Sequence, residues 1–191
     1  MAYLIRVEVD YQEEHSRLTT FFRYLLLIPQ MIVVSLVGWV ASILMMVLWV
    51  VIVVTGRSHE DMHAFIAKFL RWQTRVNAYA MLLTDVYPPF SGEADAAPYP
   101  VRVEVDPSSE DRDRLTVLLR YFWMIPAAIV VALVGFVASI VVMVMWFAIV
   151  ITGKSPQGMA EFVGRVLRWQ TRVNGYSMLL TDEYPPFNGD A

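Results

Sequence analysis

The chain repeats itself: from residue 17 onward, its second half follows the first at a constant offset of 97 residues. Residues 71–77 return unchanged as 168–174, and residues 81–90 return as 178–187 with one difference. A repeat at a fixed period dictates architecture, because each copy folds as the same unit and packs on its neighbour. The sequence therefore predicts two tandem repeats at 1–92 and 100–191, joined by a short linker at 93–99.

Each repeat contains a long stretch without any charged residue, from Arg23 to Arg57 and from Arg120 to Lys154. A helix that spans a membrane needs about 20 apolar residues, so both stretches are more than long enough. The apolar fraction of the whole chain, 57%, also exceeds the roughly 45–50% of soluble domains. The sequence therefore predicts a mainly α membrane protein.

Each repeat is predicted to hold three elements in the same order. A short strand comes first, because residues 4–10 and 100–106 alternate apolar and polar side chains with a period of two. The two strands are alike enough to pair with each other or with residues 82–84, and to lie against helices. The apolar stretch follows, and then an amphipathic helix at about 60–83, with Lys68, Arg71 and Arg75 on its polar side. A basic amphipathic helix of this kind is typical of the membrane interface.

Two arrangements of the apolar stretch remain open. Pro29 or Pro126 could kink a single span, or the chain could fold back near Gly38 into a hairpin. Single spans would put eight of the 15 Lys and Arg residues on one side and seven on the other, and the positive-inside rule disfavours such symmetry. The cations therefore favour the hairpin. A stripe of small residues instead favours a continuous helix packed on its counterpart, through Ser35, Gly38, Ser42, Ala132, Gly135 and Ser139.

The basic residues of the amphipathic helices are the candidate binding site. Arg71 and Arg75 lie one turn apart, and both return in the second repeat as Arg168 and Arg172. They are predicted to bind anionic lipid head groups or an acidic partner, with Trp72 and Trp169 as interfacial aromatic anchors. The alternative is intramolecular pairing with Asp85, Asp182, Glu8 or Asp10.

Residues 59–63 match H-E-x-x-H, the pattern in which two histidines on one helix face bind zinc. The second repeat has Pro156, Gln157 and Ala160 at the equivalent positions, and His15 is the only other histidine. We therefore interpret His59 and His63 as part of a solvated helix start, and expect neither a metal nor another cofactor.

Several function classes lack support. The net charge is slightly negative, so a nucleic-acid partner has no electrostatic basis. The absence of cysteine excludes disulfides and thiol nucleophiles. The apolar stretches carry no ionisable acid or base, which argues against pumps and coupled transporters. We expect no enzymatic activity.

Four motifs recur in both repeats: Arg-Tyr-x-x-x-Ile-Pro, Thr-Gly-Arg/Lys-Ser, Leu-Arg-Trp-Gln-Thr-Arg-Val and Leu-Leu-Thr-Asp-x-Tyr-Pro-Pro-Phe. With these motifs the chain resembles the DUF4389 domain family, bacterial membrane proteins common in actinobacteria, over nearly its whole length. The resemblance implies a bacterial membrane location and brings no catalytic residues with it.

Together these features predict a non-enzymatic integral membrane scaffold or accessory subunit that organises membrane or a larger membrane complex. The alternative is a passive channel or lipid-handling protein formed by oligomerised repeats. The acidic residues at 8–14 do not fit a signal peptide. We therefore expect the bacterial inner membrane, with the polar parts in the cytoplasm. The expected partners are the lipid bilayer, anionic lipids above all, and a second copy or a membrane-protein complex.

Overall fold

The computed structural model describes residues 3–93, 99–106 and 112–186. The chain forms β1 (Ile5–Val9), α1 (Arg17–Thr55), α2 (Glu60–Ala80), β2 (Val101–Val105), α3 (Arg114–Thr152) and α4 (Gln157–Ser177). This confirms a mainly helical fold made of two copies of one strand–helix–helix unit. Most of the predicted linker, at 94–98, lies outside the described residues.

Each apolar stretch forms one continuous helix of 39 residues, so the predicted hairpin is wrong. Pro29 and Pro126 lie inside these helices without ending them. A helix satisfies its backbone hydrogen bonds internally, whereas a turn within an apolar stretch would leave several of them without partners. A single glycine at position 38 does not favour a turn strongly enough to offset the cost of these unpaired backbone groups. The helices end only at Gly56 and Gly153, whose φ angles of 75° and 79° are left-handed.

The helices α1 and α3 run antiparallel, and each repeat caps the long helix of the other. Arg17 at the start of α1 donates to the carbonyl of Thr152 at the end of α3, at 3.1 Å. Arg114 at the start of α3 donates to the carbonyl of Thr55 at the end of α1, at 3.0 Å. The last carbonyls of a helix have no partner within the helix, so these cations stabilise both ends of the pair.

The fold has three layers: the long helices, then α2 and α4, then a β-ribbon. In the middle layer α2 packs on α1, α4 packs on α3, and α2 and α4 pack on each other. The ribbon crosses between the repeats, because β1 packs on α4 and β2 packs on α2. The amphipathic helices thus lie between two other layers, and their predicted place at the outer, interfacial edge of the fold is wrong. The apolar side contacts the long helix as expected, but the basic side faces the ribbon.

A pseudo-two-fold axis runs through all three layers. In the ribbon the strands are antiparallel with Val7 opposite Val103 at the centre, which confirms that the two strands pair with each other. In the middle layer the equivalent hydroxyls of Thr74 and Thr171 lie 3.3 Å apart. The axis therefore passes through the centre of the ribbon at one end and through the middle of the pair of long helices at the other.

Gly175 allows the ribbon to approach α4, and we expect its substitution to be destabilising. A Cβ built on Gly175 would lie 2.0 Å from Cδ1 of Ile5, which is fully buried. The equivalent residues of the other repeat are Ala78 and the smaller Val101. Gly175→Ala should therefore lower stability by about 1–3 kcal/mol, and adding Ile5→Val should recover most of the loss.

Thermal unfolding in detergent of the two single variants and the double variant measures this coupling. Additive effects of the two substitutions would contradict the proposed contact, because independent sites add. Ile5→Val alone serves as the matched control for the lost methyl group.

Candidate functional site

The outermost layer is apolar and largely uncovered. Both α1 and α3 are long and apolar enough to cross a membrane, judged by length and composition. Only 17% of the most apolar window of each is buried, so they differ from the core helices of a soluble protein. We define the outer apolar face by eight exposed side chains, four from each helix and equivalent in the two repeats: Leu36, Val40, Ile43, Val47, Leu133, Val137, Ile140 and Val144.

The opposite surface, formed by the ribbon, is charged. Arg102 donates to Glu8 at 3.1 Å and to Asp10 at 2.9 Å. Arg6 contacts Asp106 at 3.1 Å and Glu104 at 3.3 Å. These side chains are exposed, whereas Ile5, Val7, Val101 and Val103 point inward and are buried. The molecule therefore presents an apolar and a charged surface at the two ends of its pseudo-two-fold axis.

Between these surfaces, Arg23 forms a buried polar cluster that we call the first clasp. Its guanidinium is fully buried, donates to the carbonyls of Tyr79 and Thr84 at 2.7 Å each, and pairs with Asp85. The same guanidinium stacks 4.4 Å from the centre of the Tyr79 ring. His15 Nδ1 contacts Asp85 at 2.7 Å. The first clasp thus ties the start of α1 to the end of α2.

The second repeat has the equivalent clasp around Arg120. This side chain donates to the carbonyl of Thr181 at 2.9 Å, stacks 4.4 Å from the centre of Tyr176 and pairs with Asp182. Arg112 replaces His15 and lies 3.4 Å from the Asp182 carboxylate. The sequence showed Arg23 and Arg120 only as the boundaries of the apolar stretches, and the prediction missed both clasps. The available signal was the joint return of Arg23, Tyr79 and Asp85 at the offset of 97.

The carboxylate of Asp85 is held in its charged form. Burial alone would raise its pKa, but the hydrogen bonds from His15 and from the Ser16 N–H, together with the Arg23 charge, hold the pKa below its usual range. The Ser16 amide lies 2.6 Å from the second carboxylate oxygen. The first clasp therefore depends on an ionised carboxylate.

The predicted exposed basic face is wrong for two of its four arginines. Arg75 is 2% and Arg172 4% exposed, and they lie over the rings of Tyr99 and Tyr3. Arg75 donates to the carbonyl of Glu93 at 3.0 Å, and Arg172 to that of Ile5 at 3.4 Å. A guanidinium covered in this way cannot reach a lipid head group while the ribbon stays packed.

The other two arginines are half-buried. Arg71 donates to the carbonyl of Val103 at 3.1 Å, and Arg168 occupies the equivalent place on α4. A role for these two in lipid binding stays a prediction. The sequence identified these residues as the polar side of each helix but could not show that a strand of the other repeat would cover that side.

The two tryptophans predicted as interfacial anchors are also buried. Trp72 donates to the side-chain oxygen of Gln30 at 3.0 Å, and Gln30 donates to the carbonyl of Pro88 at 2.6 Å. Trp72 thereby fixes the Pro-Pro segment against α1. Trp169 is buried against Ala127 and Val173. Their aromatic surface serves packing within the fold, which corrects the predicted contact with lipid.

The stripe of small residues does not join the two long helices. Ser35, Ser42, Ala132 and Ser139 are exposed. Gly38 instead contacts α2, where a Cβ would lie 3.3 Å from Phe69, and Gly135 lies near Gln170 of α4. The long helices contact each other elsewhere: Trp49 Nε1 donates to the Val117 carbonyl and Trp146 Nε1 to the Thr20 carbonyl, at 3.0 Å each.

His63 has an internal partner. Its ring is buried and Nε2 contacts the carbonyl of Leu180 at 3.2 Å, so this nitrogen donates and is not free to bind a metal. Burial lowers the pKa of His63. His59 is exposed and stands before the first turn of α2. Among the described residues, no three His, Cys, Asp or Glu side chains converge as metal ligands would.

No curated protein and no solved structure matches the chain. The sequence profile of one family, described as a domain of unknown function (DUF4389), matches residues 17–92 and again 114–188. Each match covers one long helix, the following helix and the Pro-Pro segment, including Arg23 and Asp85 of the first clasp and Arg120 and Asp182 of the second. The chain therefore belongs to the DUF4389 family and carries two copies of its domain.

Proposed function

We propose that this protein is a non-enzymatic membrane scaffold that lies in one leaflet of the bilayer. The helices α1 and α3 would run along the membrane plane, with the outer apolar face among the acyl chains. The ribbon would face water. The three-layer fold as a whole is then amphipathic, with an apolar surface on the long helices and a charged surface on the ribbon. The helices α1 and α3 themselves are apolar on almost every side.

The observation that carries this proposal is the position of the charged ribbon. It lies on the pseudo-two-fold axis, level with the middle of the long helices. If α1 and α3 crossed the bilayer, the exposed Arg6, Glu8, Arg102 and Glu104 would sit at its centre. Charged side chains there cost roughly 2.5–3.5 kcal/mol each on insertion scales. An in-plane orientation places the same charges in water.

The length of the apolar surface supports the same orientation. Exposed apolar side chains run from Leu18 to Val54, a distance of about 54 Å along the helix. The hydrocarbon core of a bilayer is only about 30 Å thick. A spanning helix would leave much of this surface in water or would have to tilt steeply, whereas an in-plane helix can bury all of it.

A scaffold of this shape would widen one leaflet and so bend or organise the membrane. We place it in the bacterial inner membrane with the ribbon in the cytoplasm, alone, as a homo-oligomer or within a larger membrane complex. Anionic head groups would meet the cations at the ends of the long helices, where Arg57 and Lys154 are exposed. These two replace Arg75 and Arg172 as the proposed lipid contacts.

Single-cysteine labelling tests the orientation, because the chain has no native cysteine. Glu14→Cys and Lys154→Cys mark one end of the helix pair, and Arg57→Cys marks the other. With an impermeant maleimide, we expect all three to behave alike: shielded in intact cells and labelled in inside-out vesicles. Val40→Cys, on the outer apolar face, should be shielded in both. Labelling of Arg57→Cys from the opposite side to the other two would overturn the in-plane orientation.

Reconstituted liposomes separate scaffolding from the channel alternative. Curved or tubulated liposomes that retain their ions support the scaffold. Flat liposomes that leak ions support a channel of oligomerised repeats.

A further inference from the structure

A groove of about 670 Å³ opens between α1, α3 and the end of α4, and we propose that it binds one acyl chain of a membrane lipid. This volume falls within the roughly 300–1,000 Å³ of small-ligand sites. The inference rests on the proposed membrane location and names a ligand class that the location alone does not give. Four of the chain's 11 methionines line this methionine groove: Met45, Met46, Met124 and Met178.

The chemistry of the lining selects an apolar ligand. No charged side chain lines the groove. Its Ser42 hydroxyl donates to the Gly38 carbonyl at 2.8 Å, and its Ser177 hydroxyl donates to the Asn174 carbonyl at 2.7 Å. Trp49 Nε1 donates to the Val117 carbonyl at 3.0 Å. These three donors are already used by the protein's own backbone, which leaves the Tyr121 hydroxyl as the remaining polar side-chain group of the lining. A polar ligand would therefore lose most of its hydrogen bonds to water without replacement.

The methionines suit a hydrocarbon chain in particular. Methionine is unbranched and polarisable, and it adapts to apolar ligands of variable shape. Acyl chains are flexible and vary in length and unsaturation, so a rigid lining of branched residues would fit them less well. The groove thus matches the class of ligand that the surrounding leaflet would offer in excess.

The size of the groove argues against a helix of a partner protein. On α1 its lining runs from Ser42 to Trp49, a rise of about 10 Å. A helix is itself about 10–12 Å wide with its side chains, so the groove could cover only a small part of the surface of a partner helix. A single extended hydrocarbon chain can lie along the groove instead.

The groove opens at the surface that we propose to contact lipid. Met46 is 65% and Tyr121 58% exposed at its edge, whereas Met178 at its base is buried. A chain can therefore enter from the leaflet without passing through water. The lipid head group would remain outside, so binding should depend on the acyl chain and be the same for zwitterionic and anionic lipids.

Photo-crosslinking tests the inference. The full chain is reconstituted into phosphatidylcholine vesicles that contain a small fraction of phospholipid with a diazirine at the acyl terminus. After irradiation, adducts are located by mass spectrometry of peptides. We expect adducts at Met45, Met46 and Met124 to exceed those at Ile43 at least fivefold, although Ile43 is about as exposed as Met46 and more exposed than the other two. A phosphatidylglycerol probe should give the same result.

Ser42→Phe should fill the groove and lower these adducts at least fivefold. Ile43→Phe is the matched control, because it adds the same ring to the next residue of α1 but outside the groove, and it should leave the adducts unchanged. Equal thermal unfolding of the two variants shows that both fold.

Adducts spread over α1 and α3 in proportion to exposure, or an unchanged pattern in Ser42→Phe, would overturn the groove. Flotation of the same vesicles separates the two proposals. Protein that floats without groove adducts leaves the scaffold standing and removes only the groove, whereas protein that does not float removes both.

Discussion

Four glutamines on the outer apolar face of α1 should weaken the partition of the protein into lipid vesicles. The substitutions are Leu36→Gln, Val40→Gln, Ile43→Gln and Val47→Gln, all at exposed positions on one side of the helix. Full burial of such side chains is worth about 1.5–3 kcal/mol each, and these would be partly buried in lipid. The four substitutions together should therefore reduce the membrane-binding free energy by at least about 4 kcal/mol. The vesicle–water partition coefficient should then fall by about three decades. Flotation of the reconstituted variant over a range of lipid concentrations measures this change.

The ribbon supplies the matched control. Replacing Arg6, Glu8, Arg102 and Glu104 by glutamine changes four exposed side chains on the opposite surface, which the in-plane orientation leaves in water. This variant should float like the unchanged protein. A lower partition of the ribbon variant, or an unchanged partition of the α1 variant, would contradict the proposed orientation.

The sequence predicted the parts that follow from local pattern. The repeat at 97, the strands at 4–10 and 100–106, and the two apolar stretches all reappear as equivalent elements. Pairing of the strands with each other was one of two predicted alternatives, the other being pairing with residues 82–84, and the structure shows the first.

The layering could not be predicted, because it depends on contacts between distant parts of the chain. Periodicity identified the apolar side of the α2 segment but could not show that β2 would cover the other side. Arg75 therefore looked like a surface cation and is buried under Tyr99. Arg23 marked only the start of the first apolar stretch in the sequence and is the centre of the first clasp. The environment of a charged residue in an apolar chain cannot be read from sequence alone. A residue buried with partners and a residue exposed to lipid head groups can occupy the same sequence pattern.

Breaking the first clasp should have the largest effect on stability. Arg23→Met removes the buried guanidinium that donates to the carbonyls of Tyr79 and Thr84. The same guanidinium pairs with the Asp85 carboxylate. Loss of one partner of a buried ion pair costs about 3–5 kcal/mol, because the other groups stay buried without compensation. That is a large share of the roughly 5–15 kcal/mol that stabilises a typical domain. Arg120→Met should cost as much in the second repeat, whereas Arg6→Met, at an exposed position, should change stability by less than about 0.5 kcal/mol. Unfolding in detergent, followed by tryptophan fluorescence, gives the three values.

The pH dependence of unfolding then assigns the effect to the Asp85 carboxylate. Because the folded protein lowers the pKa of Asp85, the clasp contributes stability above the unfolded pKa of about 3.9. This contribution should disappear as the pH falls below about 4 and through the folded pKa. Asp85→Asn should lose the acid-sensitive part of the stability curve and be less stable near neutral pH. His15→Arg, which copies Arg112 of the second repeat, should keep the acid-sensitive part and the stability near neutral pH. An Arg23→Met variant as stable as Arg6→Met, or an Asp85→Asn curve parallel to that of the unchanged protein, would show that the clasp does not hold α1 to the end of α2.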